Sequence, residues 1–171
     1  MITKPLIRAI LANYVLDPSG IHGVKHWARV LANGRRLAES TGANRKVIEL
    51  FAVFHDACRI SDGADRNHGP RGAELAKALR GSLFALPEDQ CNLLYSACAD
   101  HTRGMIEGDI TIQTCWDADR LDLPRVGITP KAELLCTSAA RERNLFEWAT
   151  RRAILDDAPS TLRTDWGIHE I

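Results

Sequence analysis

Apolar positions recur at intervals of three and four along nearly the whole chain, the spacing of helix faces turned toward a core. Leu6, Ile7, Ile10, Leu11 and Val15 follow Pro5, which suits a first helical turn, and "DPSG" (17–20) is a turn. A second helix is predicted from about His22 to Glu39, with Val24, Trp27, Val30, Leu31 and Leu37 apolar and Gly42 as its stop. A third runs from about Asn44 to Cys58, and the polar stretch 59–69 is a loop. Pro70 opens a fourth helix that ends near Gly81. Pro87, with Glu88 and Asp89 in the first turn, opens a fifth that reaches about His101. "RGMIEGD" is a loop, and a sixth helix covers about Ile112 to Leu121. "TIQTCW" (111–116) alternates enough for a short strand, but one strand cannot form a sheet. Pro130 opens a seventh helix, and an eighth runs from Asn144 to Leu155. The stretch from Asp156 onward reads as an irregular tail whose Trp166 and Ile168 return to the body. No repeat, low-complexity segment or linker interrupts this order. The expectation is an all-α helical bundle forming one domain over 1–171.

The length, 171 residues, is enough for one domain with a sizeable core. Lys+Arg and Asp+Glu are both 22, and the zero net charge argues against a general affinity for nucleic acid or an anionic membrane. The five cysteines are odd in number and form no C-x-x-C pair, which fits reduced thiols in a cytoplasmic protein better than disulfides or a cysteine zinc site. Lys4 and Arg8 interrupt the apolar N-terminal run, so it reads as an amphipathic helix rather than a signal peptide. No run approaches the ~20 apolar residues of a membrane span.

The chemistry lies in polar groups set into apolar faces. In "FAVFHDACR" (51–59), His55 and Asp56 follow four apolar residues, where an ionised carboxylate is costly unless it is paired or binds a metal. His22 and His26 are four apart, the spacing of one helix face. "CWDADRLD" (115–122) sets Asp117, Asp119 and Asp122 among Cys115, Trp116, Ala118 and Leu121. Each piece has an ordinary reading: a solvated face, a satisfied buried pair, or, for His68 and His101, a residue at a helix end. Together, three helices supply nitrogen and carboxylate groups, and two His with two carboxylates suit a divalent ion of the Mn, Fe, Co, Ni or Zn group.

The order H…HD…D resembles the HD-domain superfamily, whose members are largely metal-dependent phosphohydrolases. "GIHGVKHWARV" is similar to the family's opening helix, "FHDACR" to the segment that names it, and "DADRLD" to its last ligand helix. The resemblance covers about residues 20–125 and implies an HD-type helical bundle around the metal, with C-terminal helices and a tail over 130–171. It implies His26, His55, Asp56 and Asp119 as ligands of one ion. Asp117 competes with Asp119. However, Asp119 shares its face with Cys115, Trp116 and Asp122, whereas Asp117 shares its own with Gln113, Thr114, Arg120 and Leu121, a polar set that faces outward. Some family members hold two ions through further histidines between HD and the last Asp, and a few of those are di-iron oxygenases. His68 and His101 occupy that interval. One ion is the default, a second bridged by Asp56 the alternative, and otherwise these histidines contact substrate or support the ligands.

Lys25, Arg29, Arg59, Arg103 and Arg120 stand beside these groups, and guanidinium forks suit phosphate oxygens. Arg29, one turn from His26, is the first choice for a site role, and His68 at a helix start is a candidate donor to phosphate or a leaving group. The expected activity is metal-dependent hydrolysis of a small phosphorylated substrate, a nucleotide above others. A di-iron oxygenase and a non-catalytic, metal-stabilised nucleotide-binding domain are the alternatives.

Overall fold

The third predicted helix is the most apolar, and it becomes the centre of the molecule. In the computed structural model, which describes residues 2–169, it spans Arg45–Phe54 (α3). Asn44 caps it by accepting from the amides of Lys46 and Val47. Every residue from Val47 to Phe54 is buried. A helix apolar on all sides needs neighbours on all sides, and three surround α3: Val24–Thr41 (α2), Glu88–Asp100 (α5) and Ile110–Arg120 (α6). The amphipathic Lys4–Leu11 (α1) adds Leu6, Ile7 and Ile10 to the same core. His68–Leu79 (α4) lies along α5. Ser138–Arg141 (α7) and Arg143–Ile154 (α8) pack on the α2 side, followed by the single turn Thr161–Thr164 (α9). Among the described residues no sheet forms, since the one backbone bridge joins Arg80 and Phe84, and no helix is long and apolar enough to cross a membrane. The protein is all-helical with one hydrophobic core, and all five cysteines are free thiols.

Several predicted boundaries move, each for a local reason. Helix α1 stops at Leu11, before Val15, which is exposed because "DPSG" folds back on itself through Asp17 and Ser19. Helix α2 starts at Val24, so His22 lies in the turn before it and not on its face. Helix α3 ends at Phe54, leaving His55–Cys58 in a turn. "TIQTCW" is helical throughout, with Asp109 capping the amide of Thr111. Pro130 does not open a helix. The chain runs through short 3₁₀ turns at Leu123–Val126 and Ala132–Leu134 before α7. The tail is irregular apart from α9, and Trp166 and Ile168 return to the core. Glu170 and Ile171 lie outside the described residues.

Two glycines bring α4 close enough to matter for the site. A Cβ at Gly72 would stand 2.2 Å from the carbonyl oxygen of Phe54, and one at Gly69 would stand 2.4 Å from that of Cys98. Only a residue without a side chain lets α4 rest on the C-terminal ends of α3 and α5, where His55 and His101 sit.

Candidate metal centre

Helix ends, not helix faces, present most of the polar groups. His26 projects from the first turn of α2, His55 caps the C-terminus of α3, and Asp56 follows it. His68 is the first residue of α4, His101 caps the C-terminus of α5, and Asp119 comes from the last turn of α6. All four histidines and Asp56 are buried. Helix ends carry unpaired backbone groups, and these rings use nearby carbonyls to fix their orientation. The Nδ1–H of His55 donates to Phe51 O (3.1 Å) and that of His101 to Cys98 O (2.7 Å). His68 Nδ1–H donates to Asp65 O, and His26 Nδ1–H donates to the Asp122 carboxylate at 2.7 Å.

With each Nδ1 placed to donate, a ring in its neutral form carries its free lone pair on Nε2. Those lone pairs converge in twos. His26 Nε2 and His55 Nε2 are 3.0 Å apart, and His68 Nε2 and His101 Nε2 are 2.9 Å apart. Two lone pairs at that separation repel unless a cation, either a proton or a metal ion, lies between or beside them. Asp56 joins both pairs. Its Oδ2 is 3.6 Å from His26 Nε2 and 3.8 Å from His55 Nε2, while its Oδ1 is 3.1 Å from His68 Nε2 and 3.7 Å from His101 Nε2. His26, His55 and Asp56 form one group able to hold a metal ion, and Asp56, His68 and His101 form a second. Asp119 Oδ1 faces the first group, 3.4 Å from His26 and 3.7 Å from His55.

The electrostatics agree with a cation site. Burial pushes the His55 imidazole down to about 3, which leaves it neutral and able to ligate. Burial alone would raise the Asp56 carboxyl. The neighbouring imidazoles, His55 first and then His101, His22 and His68, overcome that and hold it well below the usual carboxylate range. Asp119 is lowered as well, because His26, His55 and His101 outweigh its burial. Burial would also lower His101, but its bond to Asp56 and the charges of Asp119 and Asp56 raise it.

The six predicted site residues near the dipeptide converge, and the seventh does not. Arg29 is buried behind the site, donating through Nε to Asp122 (2.8 Å) and through Nη1 to Asp156 (2.6 Å), and it does not line the cavity. Its role is corrected from substrate contact to support of the Asp122–His26 pair. Asp117 is also corrected. It is fully buried, not outward, and accepts from Cys136 N (2.7 Å), Thr137 N (2.8 Å) and Thr137 Oγ1 (2.7 Å). The structure adds two residues. Asp122 orients His26, and His22 donates from Nδ1 to Asp56 Oδ2 at 2.9 Å. The i, i+3 spacing of Asp119 and Asp122 was a visible signal for the first. For His22 the i, i+4 spacing to His26 pointed at the residue but not at its place, which is the turn before α2 and not the helix face.

His22, Asp56, His101 and Asp119 form part of the wall of a cavity of about 530 Å³. Arg59, Arg120, Arg125 and Lys131 also line it. Arg59 donates to Asp56 (3.1 Å), and Arg125 binds the carbonyls of Ile21 and Asp122. Arg120 is buried and donates to the carbonyls of Leu134 and Met105, both at 2.6 Å, and to Cys136 Sγ at 3.1 Å. No carboxylate pairs with Arg120 among the described residues. Comparison of the chain with protein-family models, curated proteins and solved structures returns no match.

Proposed function

We propose that the protein is a phosphohydrolase with two metal ions, acting on a small phosphorylated molecule in the manner of the HD-domain superfamily it resembles. The observation that carries this reading is Asp56, which presents one oxygen to each of two histidine pairs whose Nε2 atoms approach each other. Such a donor set of imidazole and carboxylate suits Mn, Fe, Co, Ni or Zn. His26, His55, Asp56 and Asp119 would hold one ion, and Asp56, His68 and His101 the other. When bound, the ions supply a water of lowered pKa and offset negative charge on the phosphoryl oxygens.

The chain's own groups do the rest. Asp122, Phe51 O, Asp65 O and Cys98 O fix the four rings, so the site needs little rearrangement to work. Arg59, Arg120 and Arg125 are held by carbonyls and carboxylates around the cavity, and guanidinium N–H groups suit the oxygens of an anion. A buried guanidinium without a carboxylate partner is costly, and Arg120 gains its missing counter-charge when a phosphate enters. In the reaction the water oxygen forms a bond to phosphorus and the ester P–O bond breaks. The alcohol departs with one of the water's protons, and inorganic phosphate remains.

The His68–His101 pair also favours a second reading, a di-iron oxygenase, because that class needs both histidines as ligands. Arg120 favours the phosphohydrolase, since an oxygenase has no inherent need for an anion site. The nucleotide expected from the sequence is one member of the substrate class, as is the ligand of a non-catalytic nucleotide-binding domain.

The test is phosphate release from a panel of phosphate esters with Mn²⁺, Co²⁺ or Ni²⁺, with oxygen uptake measured on the iron-loaded protein. Metal-dependent phosphate release that is lost on chelation is expected. Oxygen uptake without phosphate release would establish the oxygenase instead.

A further inference from the structure

The cavity is divided chemically. Its metal-side wall is charged, with Asp56, His101, Asp119 and the arginines. Ile21 and the segment 123–135 add the aliphatic side chains of Leu123, Val126, Ile128, Leu134 and Leu135, with Arg125, Thr129 and Lys131 between them, and Asp62 and Thr102 stand at the charged side. Ile21, Val126, Ile128 and Leu134 remain 46, 37, 53 and 44 % exposed, and Met105 and Ile106 stand exposed on the neighbouring loop. Six of the eleven exposed large apolar side chains among the described residues therefore gather on three short stretches, and four of the six line this one cavity. Scattered exposed apolar residues need no explanation, but a contiguous group beside a charged site marks a ligand surface.

The type of apolar surface narrows the ligand. Among the described residues that line the cavity, none is Phe, Tyr or Trp. Nucleobases are usually held by stacking on aromatic rings or by hydrogen bonds to their edges. Here the uncharged side-chain donors are the hydroxyls of Thr102 and Thr129. Branched aliphatic walls instead suit a saturated chain, which gains by leaving water and asks for no directional partner.

We infer that the substrate is a phosphomonoester of an aliphatic alcohol, its phosphate at the arginines and its hydrocarbon chain along Ile21, Val126, Ile128 and Leu134, rather than a nucleotide. This rests on the phosphoryl reading of the charged wall. Discrimination comes from chain length, because each methylene buried contributes about a three- to fourfold gain in affinity.

The experiment uses non-hydrolysable probes on the metal-loaded protein: methyl-, butyl-, hexyl- and octylphosphonate, and the nucleoside monophosphates, titrated by calorimetry. Kd should fall by roughly threefold per methylene until the aliphatic wall is covered, and hexylphosphonate should bind more tightly than any nucleoside monophosphate. Ile128→Ser and Leu134→Ser, at exposed positions where folding is retained, should flatten that dependence. A Kd independent of chain length, no binding of any phosphonate, or tighter binding of a nucleotide would overturn the inference. The same series as phosphate esters separates the two readings. Hydrolysis indifferent to chain length removes this inference and keeps the reaction. A chain-length dependence in binding with no ester hydrolysed keeps the inference and removes the reaction.

Discussion

Asp119 turns its carboxylate toward His26 and His55, whereas Asp117, two residues earlier, points about 200° away around the helix axis. Asp117 meets three donors from the segment after Pro130: two backbone amides and the hydroxyl of Thr137. These bonds to a buried charge are of the stronger kind, and an amide keeps only one acceptor oxygen. Asp117→Asn should therefore destabilise the fold by about 2–4 kcal/mol, read as a lower denaturation midpoint, while metal content stays unchanged. Asp119→Asn should do the reverse, removing metal from the His26–His55 group with a smaller effect on the metal-free protein. Equal metal loss in the two variants would refute the distinction. The direction of Asp119 was legible because its helix neighbours are bulky or apolar. The burial of Asp117 was not, because Thr114, Arg120 and Leu121 look like a mixed surface. All three are buried, and Arg120 is satisfied by the backbone carbonyls of Leu134, fourteen residues further on, and Met105, fifteen residues back. Pattern reading sees polarity but not which distant backbone will accept from it.

At the scale of elements, helix identity was well written in the sequence and helix ends were not. The apolar periodicity of α2, α3, α5 and α8 gives each helix, but the site sits on termini, where one residue decides whether a histidine caps a helix or rides on its face. His55 and His101 are C-caps, and His68 is a first residue. Their rings are held by carbonyls three or four residues back, a local arrangement that periodicity does not report. Seating α4 against the ends of α3 and α5 is what brings His68 to His101, and Gly72 makes that seating possible. Gly72→Ala must push its Cβ away from the Phe54 carbonyl, which is backbone and yields little. A loss of about 1–3 kcal/mol is expected, with a weakened Asp56–His68–His101 site, measurable as reduced metal at the second position. Unchanged stability together with two full equivalents of metal would show that α4 can shift freely.

Arg29 belongs to a longer line of support. Asp156, in the turn after α8, takes Arg29 Nη1 at 2.6 Å and Lys25 at 2.7 Å, and Arg29 in turn holds Asp122 against His26. The C-terminal part of the chain thereby reaches the His26 ring through two charged pairs. Asp156 is more than half exposed, so its own pairing is worth little. Arg29 and Asp122 are buried, so Arg29→Ala leaves that carboxylate without its buried cation, with only the His26 bond remaining. That variant should lose about 3–5 kcal/mol and bind metal about 10–100-fold more weakly, whereas Asp156→Ala should change both only slightly. Titration of Mn²⁺ into the two variants separates them. Comparable losses would mean that the exposed pair matters as much as the buried one.

Across the whole molecule, the candidate centre draws on five helices. His26 comes from α2, His55 and Asp56 from the end of α3, His68 from α4, His101 from α5 and Asp119 from α6. Without a cation, that centre keeps the buried carboxylate of Asp56 and the partly buried one of Asp119 among two pairs of crowded imidazole nitrogens, which opposes closing the bundle. An ion that binds only the folded chain stabilises it by about 2.7 kcal/mol at a free concentration of one hundred times Kd. For a chain of this size that corresponds to roughly 5–10 °C in melting temperature per ion. The wild type should show two such increments as metal is added, matched by two equivalents in elemental analysis. His101→Ala should lose one increment and keep the other, because His26, His55, Asp56 and Asp119 remain. Asp56→Ala should lose both, because that carboxylate serves both groups. The comparison is made between metal-loaded and chelated samples of each variant, so any cost of the substitution to the metal-free fold cancels. A His101→Ala protein that still gains two increments would show that His68 and His101 do not hold an ion. An Asp56→Ala protein that gains even one would show that the bridge is not shared.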